Sequence, residues 1–95
     1  MDNSNLLLFD IVDGIKSHGY VTVTRQETRD IRIVFANVNK ILDNGLHTLE
    51  GNIGEVFIHE GKFRVYLWGE QRFVDCQSSE ETLDCIIKHL NSYVA

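Results

Sequence analysis

The chain has 95 residues, of which 43% are hydrophobic and 24% charged, with a formal net charge of -5. This composition excludes the disordered, collagen-like and disulfide-framework classes, and the length predicts a single domain over residues 1–95 with one modest core. The acidity argues against broad electrostatic binding of nucleic acid, which needs a basic footprint.

The longest apolar run, Leu6 to Phe9, is too short to span a bilayer. Asp2, with no preceding Lys or Arg, contradicts the basic start of a signal peptide, so a cytoplasmic protein without membrane association is expected. In that compartment Cys76 and Cys85 are expected to be thiols.

In chain order, Ser4 to Ser17 predicts a helix with Leu8, Ile11, Val12 and Ile15 as its buried stripe and Gly19 as its left-handed stop. Leu6 and Phe9 flank that stripe. Tyr20 to Thr24 alternates and is rich in β-branched residues, which predicts a strand with Val21 and Val23 inward. Thr24-x-x-Glu27 has the spacing of a capping box. Ile31, Val34, Phe35, Val38, Ile41 and Leu42 then follow helical spacing up to a stop at Gly45, so a second helix is expected. Its rival is a hairpin pairing Tyr20–Arg25 with Asp30–Phe35, favoured by the alternation of Ile31, Ile33 and Phe35. Leu46 to Asn52 has no clear period and reads as a connection.

From Ile53 to Cys76 the pattern predicts a three-stranded antiparallel meander. Glu60-Gly61 supplies one two-residue turn and Gly69-Glu70 a type II′ turn. These turns set the register: His59 faces Lys62, placing Phe57 opposite Arg64 and Glu55 opposite Tyr66, while Leu67 faces Arg72, Tyr66 faces Phe73 and Arg64 faces Asp75. Ser78-x-x-Glu81 is a second capping box, opening a final helix with Leu83, Ile86, Ile87, Leu90 and Val94 on its stripe. The expected fold is α+β in the order α-β-α-β-β-β-α, the meander and one N-terminal strand packed with two or three helices.

The meander register puts Val56, Ile58, Phe63, Val65, Leu67, Val74 and Cys76 on a core face. Phe57, His59, Arg64, Tyr66, Trp68, Phe73 and Asp75 fall on the reverse, which is more aromatic than a solvated face needs. Aromatic and Arg side chains are the residues that anchor protein interfaces, so Phe57, His59, Arg64, Tyr66, Trp68 and Phe73 are the candidate partner-binding residues. A helix packed on that face would instead make them core.

The function this supports is a non-catalytic protein-binding module, with inhibition of a nucleic-acid-handling protein, of the host-defence type, as the specific form that size and acidity suggest. The first alternative is an RNA or single-stranded nucleic-acid binder stacking bases on Phe57, Tyr66 and Trp68. Under the second-helix reading, Arg25, Arg29, Arg32 and Lys40 form a basic stripe that can meet phosphate or an acidic partner. The second alternative is a metal- or thiol-dependent protein centred on Cys85 and His89, one helical turn apart, with Cys85 on the exposed side of the last helix. No phosphate-binding glycine loop, nucleophile elbow or CxxC pair occurs, so neither an enzyme nor a cofactor or metal is expected. The apolar circumference of the first helix leaves a homodimer open as a partner arrangement.

Overall fold

The computed structural model describes residues 4–26, 28 and 30–94. Helix α1 (Ser4–Ser17) has the predicted span, and Leu8, Ile11, Val12 and Ile15 are its buried stripe. Gly19, at φ 88°, takes the left-handed conformation that ends it. Leu6 lies outside the residues whose side chains are described, and Phe9 is exposed.

The predicted second helix is absent. Its residues form strands β2 (Ile31–Ala36) and β3 (Val38–Ile41), after β1 (Val21–Gln26). The hairpin reading holds, with β1 and β2 antiparallel from Val21 opposite Ala36 to Gln26 opposite Ile31. Thr24 is thus inside a strand rather than at a helix start, and Glu27 and Arg29 lie outside the described residues. The residues of the expected connection form β4 (His47–Glu50), paired with β3 from Val38 opposite Glu50 to Ile41 opposite His47.

Strands β5 (Gly54–His59), β6 (Lys62–Leu67) and β7 (Arg72–Cys76) are the predicted meander, residue for residue in register. Helix α2 (Ser79–Asn91) closes the chain. The class is α+β, and the described residues form two helices and a five-stranded antiparallel sheet in the order β1-β2-β5-β6-β7, plus the separate β3-β4 ribbon.

Both helices pack on one face of the sheet. Leu8, Ile11, Val12 and Ile15 from α1 and Ile86 and Leu90 from α2 meet Ile33, Phe35, Val56, Phe63, Val65, Leu67 and Cys76 in one apolar cluster. Burying side chains of this kind contributes about 1.5–3 kcal/mol each, so this cluster supplies most of the drive to fold. Gly54 permits the packing of Phe35, since a Cβ there would lie 2.6 Å from Phe35 Cζ and 2.6 Å from the Tyr66 carbonyl oxygen.

Pairing parity reverses the expectation for β1. Val23 faces Val34 and Val21 faces Ala36, on the side away from the helices, and Val23 is 44% exposed. Ser78 caps α2 as expected, its Oγ accepting from the Glu81 N–H at 3.1 Å. The Glu81 carboxylate, however, accepts from the Gln77 N–H, at 3.1 Å, one residue before the Ser78 N–H that a capping box uses. Val94, assigned to its stripe, lies beyond the helix end and is 89% exposed.

The β3-β4 ribbon packs chiefly on itself and carries exposed Val38, Ile41, Leu42 and Leu46. Its root is tied to α2. Asn37 Nδ2 donates to the Leu90 carbonyl at 2.7 Å, Asn37 Oδ1 accepts from the Asn52 N–H at 2.7 Å, and Asn52 Nδ2 donates to the His89 carbonyl at 2.8 Å. The two bonds to α2 add to what its last carbonyls receive locally, His89 from Ser92 Oγ and Leu90 from the Tyr93 N–H. Among the described residues no helix is long and apolar enough to cross a membrane.

The two meander turns hold the register, and each strains a residue with a side chain. In the first, Glu60 and Gly61 both have positive φ, 50° and 77°, as a type I′ turn requires. The second is not the expected type II′ turn: Gln71, at φ 51°, takes the left-handed position in place of Gly69, and its N–H donates to the Trp68 carbonyl at 3.3 Å. A left-handed conformation costs a residue with a Cβ about 1–2 kcal/mol. Gln71→Gly is therefore expected to raise the unfolding free energy by about 0.5–1 kcal/mol after glycine's own entropy cost is subtracted. Urea titration checks this, and a loss of stability would contradict the assigned turn.

Candidate functional site

Both helices lie on one side, so neither covers the reverse face of the sheet, although Val34 and Ala36 are buried on it. Cross-strand pairing arranges the side chains of this face in two rows. One runs Val23, Val34, Glu55, Tyr66, Phe73. The other runs Arg25, Arg32, Phe57, Arg64, Asp75, with the Arg32 guanidinium carbon 4.1 Å from the Phe57 ring centroid.

Arginine and aromatic groups interlock along these rows. Arg32 sits over the Phe57 ring, and Phe57 is only 6% exposed. Arg64 makes a bidentate pair with Asp75, Nε to Oδ1 at 2.8 Å and Nη2 to Oδ2 at 3.0 Å, and its guanidinium is 5.2 Å from the Phe73 centroid. Tyr66 and Phe73 pack with centroids 4.7 Å apart. Cation–π contact and a two-point carboxylate pair fix a guanidinium more tightly than a surface lysine is ever fixed.

Glu55 is the buried acid of this face, at 9% exposure. Arg32 Nη1 lies 3.4 Å from its Oε1, and Arg25 Nη1 lies 4.0 Å from its Oε2. One hydrogen bond, from Arg32 Nη1 to Glu55 Oε1, joins charge in holding this corner, while Glu55 Oε2 and Arg32 Nε are buried with no hydrogen bond.

The six predicted residues therefore share one side of the sheet but differ in display. Phe73 at 56% and Trp68 at 42% are exposed. The Trp68 N–H still donates to the Ile53 carbonyl at 3.2 Å, which continues the ladder and its alternation. Tyr66, Arg64 and His59 are half-buried, with His59 Nε2 3.9 Å from a Glu60 carboxylate oxygen. Phe57 is beneath Arg32 rather than displayed.

Sequence reasoning named Arg25 and Arg32 only as part of a helical stripe, and placed neither them nor Val23 and Val34 on this face. The basic stripe it drew does not exist: Arg25 and Arg32 are cross-strand partners on the sheet, and Lys40 sits in the ribbon with Nζ 4.0 Å from Glu50. The alternation of Ile31, Ile33 and Phe35 was the signal that could have found them.

The thiol alternative gains position but not reactivity. A groove of about 430 Å³ between β7 and α2 is lined in part by Cys76, Cys85, Lys88 and His89. Cys85, expected on the exposed side, is half-buried against the core beside Cys76. Burial pushes both thiols above the ordinary cysteine value, which leaves them protonated and poorly nucleophilic at neutral pH. His89 sets its ring edge-on to Phe35, with centroids 6.4 Å apart, and its Nε2 is buried without a hydrogen bond. Among the described residues no three His, Cys, Asp or Glu side chains are grouped to hold a metal ion.

No family model, curated protein or solved structure gives a significant match to this chain.

The Arg64 hydrogen bonds hold the Asp75 carboxyl below its ordinary value. A carboxylate whose value is depressed by folding contributes stability above its unfolded value and loses it as the pH falls through the folded one. The stability gap between wild type and Asp75→Asn, read by denaturant titration, is thus expected at neutral pH and should close in acid. A gap that persists below the carboxylate range would show that Asp75 acts by packing alone. Iodoacetamide is expected to alkylate Cys76 and Cys85 at least tenfold more slowly than free cysteine at pH 8, with rates converging on unfolding in urea. Fast alkylation of Cys85 in the folded protein would revive the thiol reading.

Proposed function

We propose that the chain is a non-catalytic binding module for a protein partner, engaged through the open face of the sheet. The observation that carries this reading is the placement of both helices on the opposite face, which leaves Trp68, Phe73, Tyr66 and the arginine row without cover from a helix. Exposed Trp and Phe beside arginines pre-set by stacking have the composition of interface anchors. The arginines, held by Glu55, Asp75 and ring faces, would meet a partner with little further ordering cost.

Charge narrows the partner. Arg25, Arg32, Lys62 and Arg64 outnumber Glu55 and Asp75 on this face, whereas the helices opposite carry Asp10, Asp13, Glu80, Glu81 and Asp84 against Lys16 and Lys88. A net acidic chain thus turns a basic, aromatic face outward, which suits a partner surface that is acidic with an apolar centre. This orientation disfavours the narrower reading of an inhibitor aimed at a basic protein, unless such a partner meets the helix side.

A single-stranded nucleic acid is the weaker reading. Base stacking needs free ring faces. The face of Phe57 is occupied by Arg32, and Tyr66 and Phe73 pack on each other.

Affinity capture from native extract separates these readings. Wild type and a helix-side control, Lys16→Ala, are expected to enrich the same protein, with at least tenfold loss in Trp68→Ala/Phe73→Ala. Equal retention by the double variant would exclude the sheet face. Trp68-dependent, salt-sensitive binding of a labelled oligonucleotide would replace the protein reading with the nucleic-acid one.

A further inference from the structure

The two edges of the five-stranded sheet are unlike. At one, β7 carries Arg72 and Asp75 and follows the left-handed Gln71. At the other, β1 pairs with β2 through an unbroken run from Val21 to Gln26, and among the described residues no strand pairs with its other side. Charged residues, proline and bulges are the devices by which sheets blunt an edge against further pairing. Val21-Thr22-Val23-Thr24 has none of them, and the one charged residue of β1, Arg25, follows that run.

The run is also complementary to itself. A twofold axis through an antiparallel strand pair keeps each face on its own side, so partner residues must both be odd-numbered or both even-numbered. Of the registers that satisfy this, the one centred on Val23 keeps Val21 through Arg25 paired and sets Val23 against Val23. It also puts Thr22 against Thr24 and lays the stem of Arg25 along Val21. Valine and threonine pairs of this kind are among the favourable cross-strand contacts, and no like charges meet. The exposed Val23 would be covered, and the apolar pair Val23–Val34 would run on into its copy.

We propose that β1 is a homodimerisation edge, in which two copies of this chain pair their β1 strands antiparallel about Val23. The two five-stranded sheets become one, with all the helices on one side. Both arginine-aromatic faces then point the same way from a single closed assembly, since an isologous contact uses up the edge that makes it. The inference does not depend on what the open face binds.

The test is the molar mass of the full chain in solution, by sedimentation equilibrium. Wild type is expected at twice the 10.9 kDa of the chain. Val23→Lys and Val23→Glu each place like charges face to face and are expected to sediment as monomers. Mixed in equal amounts, the two are expected to recover the dimer, because only in this register does residue 23 meet its own copy. A wild-type far-ultraviolet circular dichroism spectrum and a cooperative melt confirm that each variant folds, as substitution at an exposed position should allow. A monomeric wild type overturns the proposal, as does a dimer indifferent to charge at Val23 or a mixture that fails to recover it. A dimer abolished instead by Ile41→Ser/Leu46→Ser in the ribbon also overturns it.

Discussion

Strand register in the meander is the constraint on which the rest of the molecule depends. Glu60-Gly61 and the Trp68–Gln71 turn fix which residues of β5, β6 and β7 lie opposite one another. Because side chains alternate, that one decision sorts Val56, Phe63, Val65, Leu67 and Cys76 to the helix side and Phe57, Arg64, Tyr66 and Phe73 to the other. A slip of one residue would exchange the two sets, burying arginine under α1 and α2. The apolar cluster is therefore also what enforces the open face, since neither helix can cover both sides.

The open face has its own internal order. Two of its arginines are held by both a carboxylate and a ring, Arg32 by Glu55 and Phe57, and Arg64 by Asp75 and Phe73. Exposed ion pairs add little to stability, so these contacts matter more for where the guanidinium groups point than for whether the chain folds. Glu55 differs, being buried with an oxygen that accepts no hydrogen bond. Loss of its charge would leave Arg32 partly buried beside an apolar ring, which ties the shape of the face to that carboxylate.

How much of this was legible in the sequence follows from the range of the interactions involved. Both helices, their caps and the β5–β7 register were readable because each rests on neighbours within a few residues: Ser78 with Glu81, Gly19 after α1, Gly61 in a tight turn. Residues 31–42 were misread because their apolar positions satisfy both periods. The choice was made by β1 on one side and β5 on the other, which no local pattern displays. Ile33, off the helical stripe yet wholly buried, was the residue that told against the helix. The inverted parity of Val21 and Val23 has the same origin, since an edge strand takes its facing from its single neighbour. The facing of the aromatic residues, set by one meander, was accordingly legible, and that of Arg25 and Arg32, set by the pairing of β1 and β2, was not.

The decisive measurement is which protons the aromatic rings of the open face touch in solution. Nuclear Overhauser spectra of the labelled chain are predicted to connect the Tyr66 and Phe73 rings to each other and to Arg64, with a soluble gadolinium chelate strongly broadening Phe73 and Trp68 while sparing Phe35 and Phe63. Cross-peaks from Tyr66 or Phe73 to the methyl groups of Leu8, Ile86 or Leu90 would contradict the account, because they would place a helix over the face on which the proposed function rests.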